Sequence, residues 1–169
     1  NKTDYKLNPR KGNEIKLTGL VGIKNIKKNN EILNLKDPLF NYASLYDSVK
    51  ARSYQFRVKL AAAHFFPVGK QATVKAAING GLFISPSTFR NELFQIGGYK
   101  LLRGFNEESI YATQYAVLTA EYRYRLKLNS YMFGFVDAGW VKSKYQSVDL
   151  NNNFIGAGLG LAFETKFGL

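Results

Sequence analysis

The sequence predicts an all-β chain whose antiparallel strands form part of a transmembrane β-barrel, and three observations carry that expectation. Period-two alternation, which puts successive side chains on opposite faces of a strand, recurs six times, and helical periodicity is hard to find anywhere. The alternating runs reach about ten residues or more, beyond the usual five or six. The connections between them alternate short and long, the asymmetry of an outer-membrane barrel with tight turns at one rim and long extracellular loops at the other.

In the first run Ile15, Leu17, Gly19, Val21 and Ile23 share a face while Glu14, Lys16, Thr18 and Lys24 share the other. In the second, Tyr54, Phe56, Val58, Leu60 and Ala62 alternate with Gln55, Arg57, Lys59 and two alanines. After a break at PVGK, 67–70, the third sets Val74, Ala76, Ile78 and Leu82 against Thr73, Lys75, Ala77 and Asn79. The fourth opposes Leu118, Ala120, Tyr122, Tyr124 and Leu126 to Thr119, Glu121, Arg123 and Arg125. The fifth, 132–140, is diluted by glycine and carries Asp137 among aromatics. In the sixth, Ile155, Ala157, Leu159, Leu161 and Phe163 oppose Gly156, Gly158, Gly160, Ala162 and Glu164. Short connections are expected at 68–71 and 128–130, long ones at 27–52, 85–113 and 142–153.

One face is thus aliphatic and aromatic, and the other carries Lys16, Arg57, Lys59, Lys75, Glu121, Arg123, Arg125 and Asp137. A barrel would turn the first to lipid and the second to a wet lumen, with Tyr54, Tyr124 and Tyr131 in the interfacial girdle. A soluble sandwich would cover the first with a second sheet of the same chain. Length and charge bound the rest: 169 residues make one domain, and 24 Lys and Arg against 12 Asp and Glu leave a net charge of +12. At 46% hydrophobic residues the chain is too apolar for a disordered basic tail. It has no cysteine and a single histidine, His64, so thiolate chemistry, disulfides and a histidine-rich metal site are all excluded, and no metal or cofactor is expected. No run approaches the roughly 18 apolar residues of a spanning helix, which leaves a barrel open.

Three groups of residues could carry chemistry: a glycine run, a pair of carboxylates and an arginine on a glycine-flanked loop. GAGLG at 156–160 lacks the G-x-G-x-x-G spacing of a dinucleotide site, and its glycines, all on one face, leave room for something bulky against that strand. Glu121 and Asp137, on the polar faces of neighbouring strands, could serve as the acid and base of a hydrolase. They could instead receive a cation: Arg103 lies in the long 85–113 segment, flanked by Gly97, Gly98 and Gly104, and can reach back into a polar lumen to form a forked pair. His64 reads as a strand residue near the interface. The basic excess suits a solvated face or lipopolysaccharide phosphates. Nucleic acid is not an expected partner, because the aromatics follow strand period instead of interleaving with a basic patch.

In order, FQIGG (94–98), LRGF (102–105), AEY (120–122), FVDAG (135–139) and GAGLGL (156–161) resemble the C-terminal barrel region of the BamA superfamily, the bacterial outer-membrane assembly factor and surface antigen family. NPRKG at 8–12 resembles the periplasmic turn before one of that family's strands. The resemblance runs from about residue 8 to residue 169. It implies a bacterial outer-membrane protein, not an enzyme, that inserts or secretes β-barrel or passenger polypeptides. It also implies that Arg103, within the loop motif Gly97, Gly98, Leu102, Gly104 and Phe105, folds into the lumen and is received by Glu121 and Asp137 as a structural lock. On this basis 1–169 is a C-terminal fragment holding about six of sixteen strands, with both ends cut and the periplasmic POTRA domains and remaining strands outside it. Expected partners are outer-membrane lipids and lipopolysaccharide, client β-barrel polypeptides, and accessory assembly proteins through parts outside this chain. A sheet with two open edges is expected to oligomerise or curl. The alternatives are polypeptide secretion or lipid scrambling within the family, a soluble β-domain binding an acidic ligand, and third a hydrolase.

Overall fold

The computed structural model describes residues 2–6, 8–36, 40–47 and 51–164; the expected chain end at 168–169 and parts of the first long connection, at 37–39 and 48–50, lie outside them. A two-residue strand, β1 (Lys2–Thr3), precedes β2 (Gly12–Asn25), β3 (Arg52–Val68) and β4 (Ala72–Ile84). Two short strands, β5 (Phe94–Ile96) and β6 (Ile110–Ala112), lie between β4 and the last three, β7 (Gln114–Arg125), β8 (Tyr131–Tyr145) and β9 (Val148–Ala162). One open sheet takes the order β1-β2-β3-β4-β7-β8-β9, every pairing antiparallel, and β5 pairs with β6 apart from it.

The six alternating runs are the six long strands. The shortest, β7, has 12 residues. A tilted strand needs roughly 9 to 11 to cross the hydrocarbon, so each of the six is long enough. The register of β2 on β3 runs unbroken from Gly12↔Phe65 to Asn25↔Arg52, which keeps the two side-chain sets on opposite faces along the whole pair.

The apolar face has no second sheet over it among the described residues: Leu17, Val21, Leu118, Val136, Ile155 and Leu159 are exposed, Leu159 at 90%. In water this row would be a severe liability, and in a bilayer it is the lipid contact. The sandwich reading, which needs that face packed within the chain, is therefore overturned. Tyr54 and Tyr124 lie on the apolar face near its two rims, as a girdle requires. Tyr131 does not; it shares the opposite face with Phe133 and lies under the Arg123 guanidinium, 5.0 Å from centroid to Cζ. The parity of β8 decides this, since Tyr131 is an even number of residues from Asp137.

The turns between β3 and β4 and between β7 and β8 are short, as expected, and share one rim. At the other rim the 26–51 connection holds a single helical turn, α1 (Asn30–Leu33), and a 3₁₀ turn at Tyr42–Tyr46, each capped by an asparagine side chain, Asn29 and Asn41. The third expected long loop, 142–153, is not a loop. Its residues continue β8 and β9 in register to Tyr145↔Val148, and the chain reverses at 146–147 with Gln146 at φ 49°. The polar composition misled because the inward face here packs on the 111–113 backbone, with Ser143 buried and donating to the Tyr111 carbonyl, so polar residues stand on both faces and the apolar/polar alternation of a half-buried strand disappears.

Candidate functional site

The long 85–113 connection does not extend into solvent; it folds back on the polar face of the sheet. Two sets of contacts hold it there. The first is apolar: Ile96, Leu102 and Ala112 from the connection are buried against Phe83 of β4, Tyr115 and Val117 of β7 and Val141 of β8, with Phe94 completing the cluster. Phe105 meets the Phe154 ring edge to face at 5.2 Å between centroids. The second is polar: the Glu92 carboxylate accepts from Lys24 Nζ at 2.7 Å and from its own turn's Phe89 N–H, while its carbonyl accepts from Arg57.

At the centre of the docked segment is Arg103. Its Nε and Nη2 donate to Asp137 Oδ2 and Oδ1 at 2.8 and 2.9 Å, a forked pair, and its Nη1 donates to Glu121 Oε2. Its backbone N–H also donates to Asp137 Oδ2, at 3.0 Å. Thr119, directly across from Asp137 in the β7–β8 register, donates its hydroxyl to Oδ1 at 2.8 Å. Asp137 therefore receives four hydrogen bonds on two oxygens, the full capacity of a carboxylate, at 1% exposure. The guanidinium lies over the Phe135 ring, 3.6 Å from its centroid.

The arrangement brings together all three polar residues expected from the sequence and adds two. Arg123 donates Nε to Glu121 Oε1 at 2.6 Å, so one carboxylate bridges two guanidiniums. Arg103, Asp137, Glu121 and Arg123 form a cluster of zero net charge. Such a buried network persists because each charge is matched and each carboxylate oxygen is hydrogen-bonded. The sequence puts Thr119 and Arg123 on the polar face but assigns neither to the site. The signal was available, since both share the inward parity of Glu121 on β7.

The loop residues have separate tasks. Gly97, Gly98 and Gly104 take positive φ, and Leu102, though branched, takes φ 63° and is almost wholly buried. Two strand glycines make the docking possible. A Cβ on Gly156 would fall on the Arg103 carbonyl oxygen, and one on Gly139 would lie 2.9 Å from a Leu102 methyl. The room expected along GAGLG is thus filled, by loop backbone at Gly156 and by the rings of Phe135 and Phe133 at Gly158 and Gly160. No cluster of His, Asp and Glu among the described residues could hold a metal. His64 stays on the opposite face, paired with Asn13 and tilted against the Phe66 ring at 4.0 Å between centroids.

Long strands with a naked apolar face, around a polar face that receives a long loop, are a barrel wall and its lumen. A family model for the Omp85 superfamily domain matches residues 1–169. The chain belongs to the Omp85 superfamily. No curated protein matches it significantly. The superfamily is one of bacterial outer-membrane proteins concerned with assembly and secretion of polypeptides, whose members insert or export chains without enzymatic chemistry, and this is consistent with the BamA-type motifs. An Omp85 wall therefore faces lipid with Leu118, Val136 and Ile155, and its lumen with the Arg103 cluster.

Proposed function

We propose that this Omp85 chain is the C-terminal barrel part, about six of sixteen strands, of an outer-membrane protein that assembles and inserts β-barrel clients, with the LRGF loop locked into the lumen by Arg103, Glu121 and Asp137. The observation that carries the lock is the forked pair of Arg103 with a fully satisfied Asp137. The loop spans the polar faces of β4, β7, β8 and β9, so its docking holds this wall in one shape. A fixed wall lets a seam elsewhere in the barrel open without collapse. Clients would be engaged there by strand addition, in which unpaired backbone N–H and C=O groups bind any strand without reading its sequence. No bond in the client is made or broken. The sheet's two open edges, along β2 and β9, would be covered by further strands or by another copy.

The test is reconstitution of the full-length protein in liposomes and addition of a urea-denatured β-barrel client, with folding read as heat-modifiable migration on a gel. Acceleration over empty liposomes is expected. Delivery of a passenger into the vesicle interior, with no client folding, would favour the secretion reading in its place.

A further inference from the structure

The described residues of the segment 2–12, which are 2–6 and 8–12, lie at the short-turn rim of the sheet, and their contacts reach further than β2. Asp4 ties it into a compact turn by accepting the backbone N–H groups of Tyr5, Arg10 and Lys11. Arg10 donates Nη2 to the Gly69 carbonyl of the β3–β4 turn at 3.1 Å. Asn8 and Pro9 are buried. Asn8 donates Nδ2 to the Leu128 carbonyl of the β7–β8 turn at 3.3 Å, and its Oδ1 accepts from Arg123 Nη1 at 3.4 Å. Arg123 thus has one end on the rim strap and the other on Glu121, whose second oxygen holds Arg103 of the opposite loop.

We infer that Arg123 is a positioning residue through which the strap 2–12 at one rim and the lumen loop 85–113 from the other share a single carboxylate, so that release of Asn8 loosens the loop. The inference rests on the reading of Arg103 as a lock and adds its control. Glu121 has rotamer freedom of its own, and only two fixed guanidiniums, one on each oxygen, hold its carboxylate plane where Arg103 Nη1 can use it. Arg123 itself lies over two rings, Tyr131 at 5.0 Å and Phe65 at 5.6 Å, and its Nη1 end is held by Asn8. Losing Arg123 takes the four-charge cluster from zero to −1, with Lys75 the further cation in electrostatic range of Glu121. A pull on the strap would reach the loop by this route without any movement of the strands.

The experiment is amide hydrogen exchange, read by mass spectrometry, on the full-length protein in nanodiscs, comparing wild type with Asn8→Ala, Arg123→Met, Arg123→Lys and Arg103→Ala. Asn8→Ala and Arg123→Met should each raise exchange in the 94–112 peptide at least tenfold, although neither residue touches that peptide, with 132–145 unchanged. Arg123→Lys should restore most of the protection. If both variants raise exchange only in 2–12 and 125–131 while Arg103→Ala still frees 94–112, the relay is wrong and the lock stands. If Arg103→Ala also leaves 94–112 protected, the lock falls and the relay with it. Asn8→Ala, a truncation at the rim, keeps the test open should Arg123→Met not fold.

Discussion

Arg103→Ala removes three side-chain hydrogen bonds, two to Asp137 and one to Glu121, and leaves two carboxylates, 1% and 5% exposed, to share Arg123. Breaking a buried charge pair from one side costs about 3–5 kcal/mol, because the stranded charge keeps its desolvation penalty. Two features move the figure to the lower end. The Arg103 side chain retains 13% exposure, and Asp137 keeps the Thr119 hydroxyl and the backbone N–H of residue 103. The apolar cluster around Leu102 is untouched, so the loop stays docked on average and opens more often. About 3 kcal/mol is roughly a 150-fold rise in the open population. In the regime where opening is fast, amide exchange in 94–112 should accelerate by the same factor in the full-length protein. Arg103→Lys should fall between, since it keeps the charge and loses the fork. Asp137→Asn combined with Arg103→Ala should cost clearly less than the two changes summed, as expected of coupled groups. Exchange within about threefold of wild type in Arg103→Ala would mean that the apolar cluster alone holds the loop, and the electrostatic account would be abandoned.

Gly156→Ala should free the loop about as much as Arg103→Ala, because its Cβ meets rigid backbone, whereas Gly139→Ala meets only a Leu102 methyl and should be milder; the reverse order in exchange would refute the docking geometry. Ile155→Arg, on the apolar face and 75% exposed, should cost about 2–4 kcal/mol if it lies near the bilayer midplane and impair heat-modifiable folding. The same substitution at exposed Asp149, in the projecting hairpin, should be silent, and equal tolerance at both sites would contradict a lipid-facing sheet. Slight burial acts to raise the Asp4 carboxyl, but the backbone N–H groups of Lys11, Arg10 and Tyr5 outweigh it and hold the group below the ordinary aspartate range. A carboxyl depressed on folding stabilises the strap above its unfolded pKa of about 3.9 and loses that contribution as pH falls through the lower folded value. Exchange of the Arg10 and Lys11 amides should therefore rise below about pH 4 beyond the intrinsic pH effect, and Asp4→Asn should abolish that rise.

Much of this protein could be read from residue order. The six long strands and their two faces follow from period-two alternation, because a strand wet on one side and greasy on the other has to alternate. The basic and acidic residue types that meet in the lumen were visible in the same pattern, as was the space along Gly156, Gly158 and Gly160. The sequence was silent where that contrast vanishes. The hairpin at 142–153 carries polar residues on both faces, one meeting water and the other the backbone of 111–113, so its Lys, Asn and Asp residues read as a loop although β8 and β9 continue through it.

What alternation by itself determined is which side chains share a face, since that depends only on the parity of neighbours along one strand. Which residues touch was decided by tertiary structure, because it depends on register between strands and on a loop folding back across them. Register sets Thr119 opposite Asp137 and Arg123 opposite Phe133. The returning loop brings Arg103 to Glu121, 18 positions away, and the strap brings Asn8 to Arg123, 115 positions away. Such contacts come from closing long segments at small entropic cost once a sheet exists to receive them, and no local pattern in the chain encodes the meeting point.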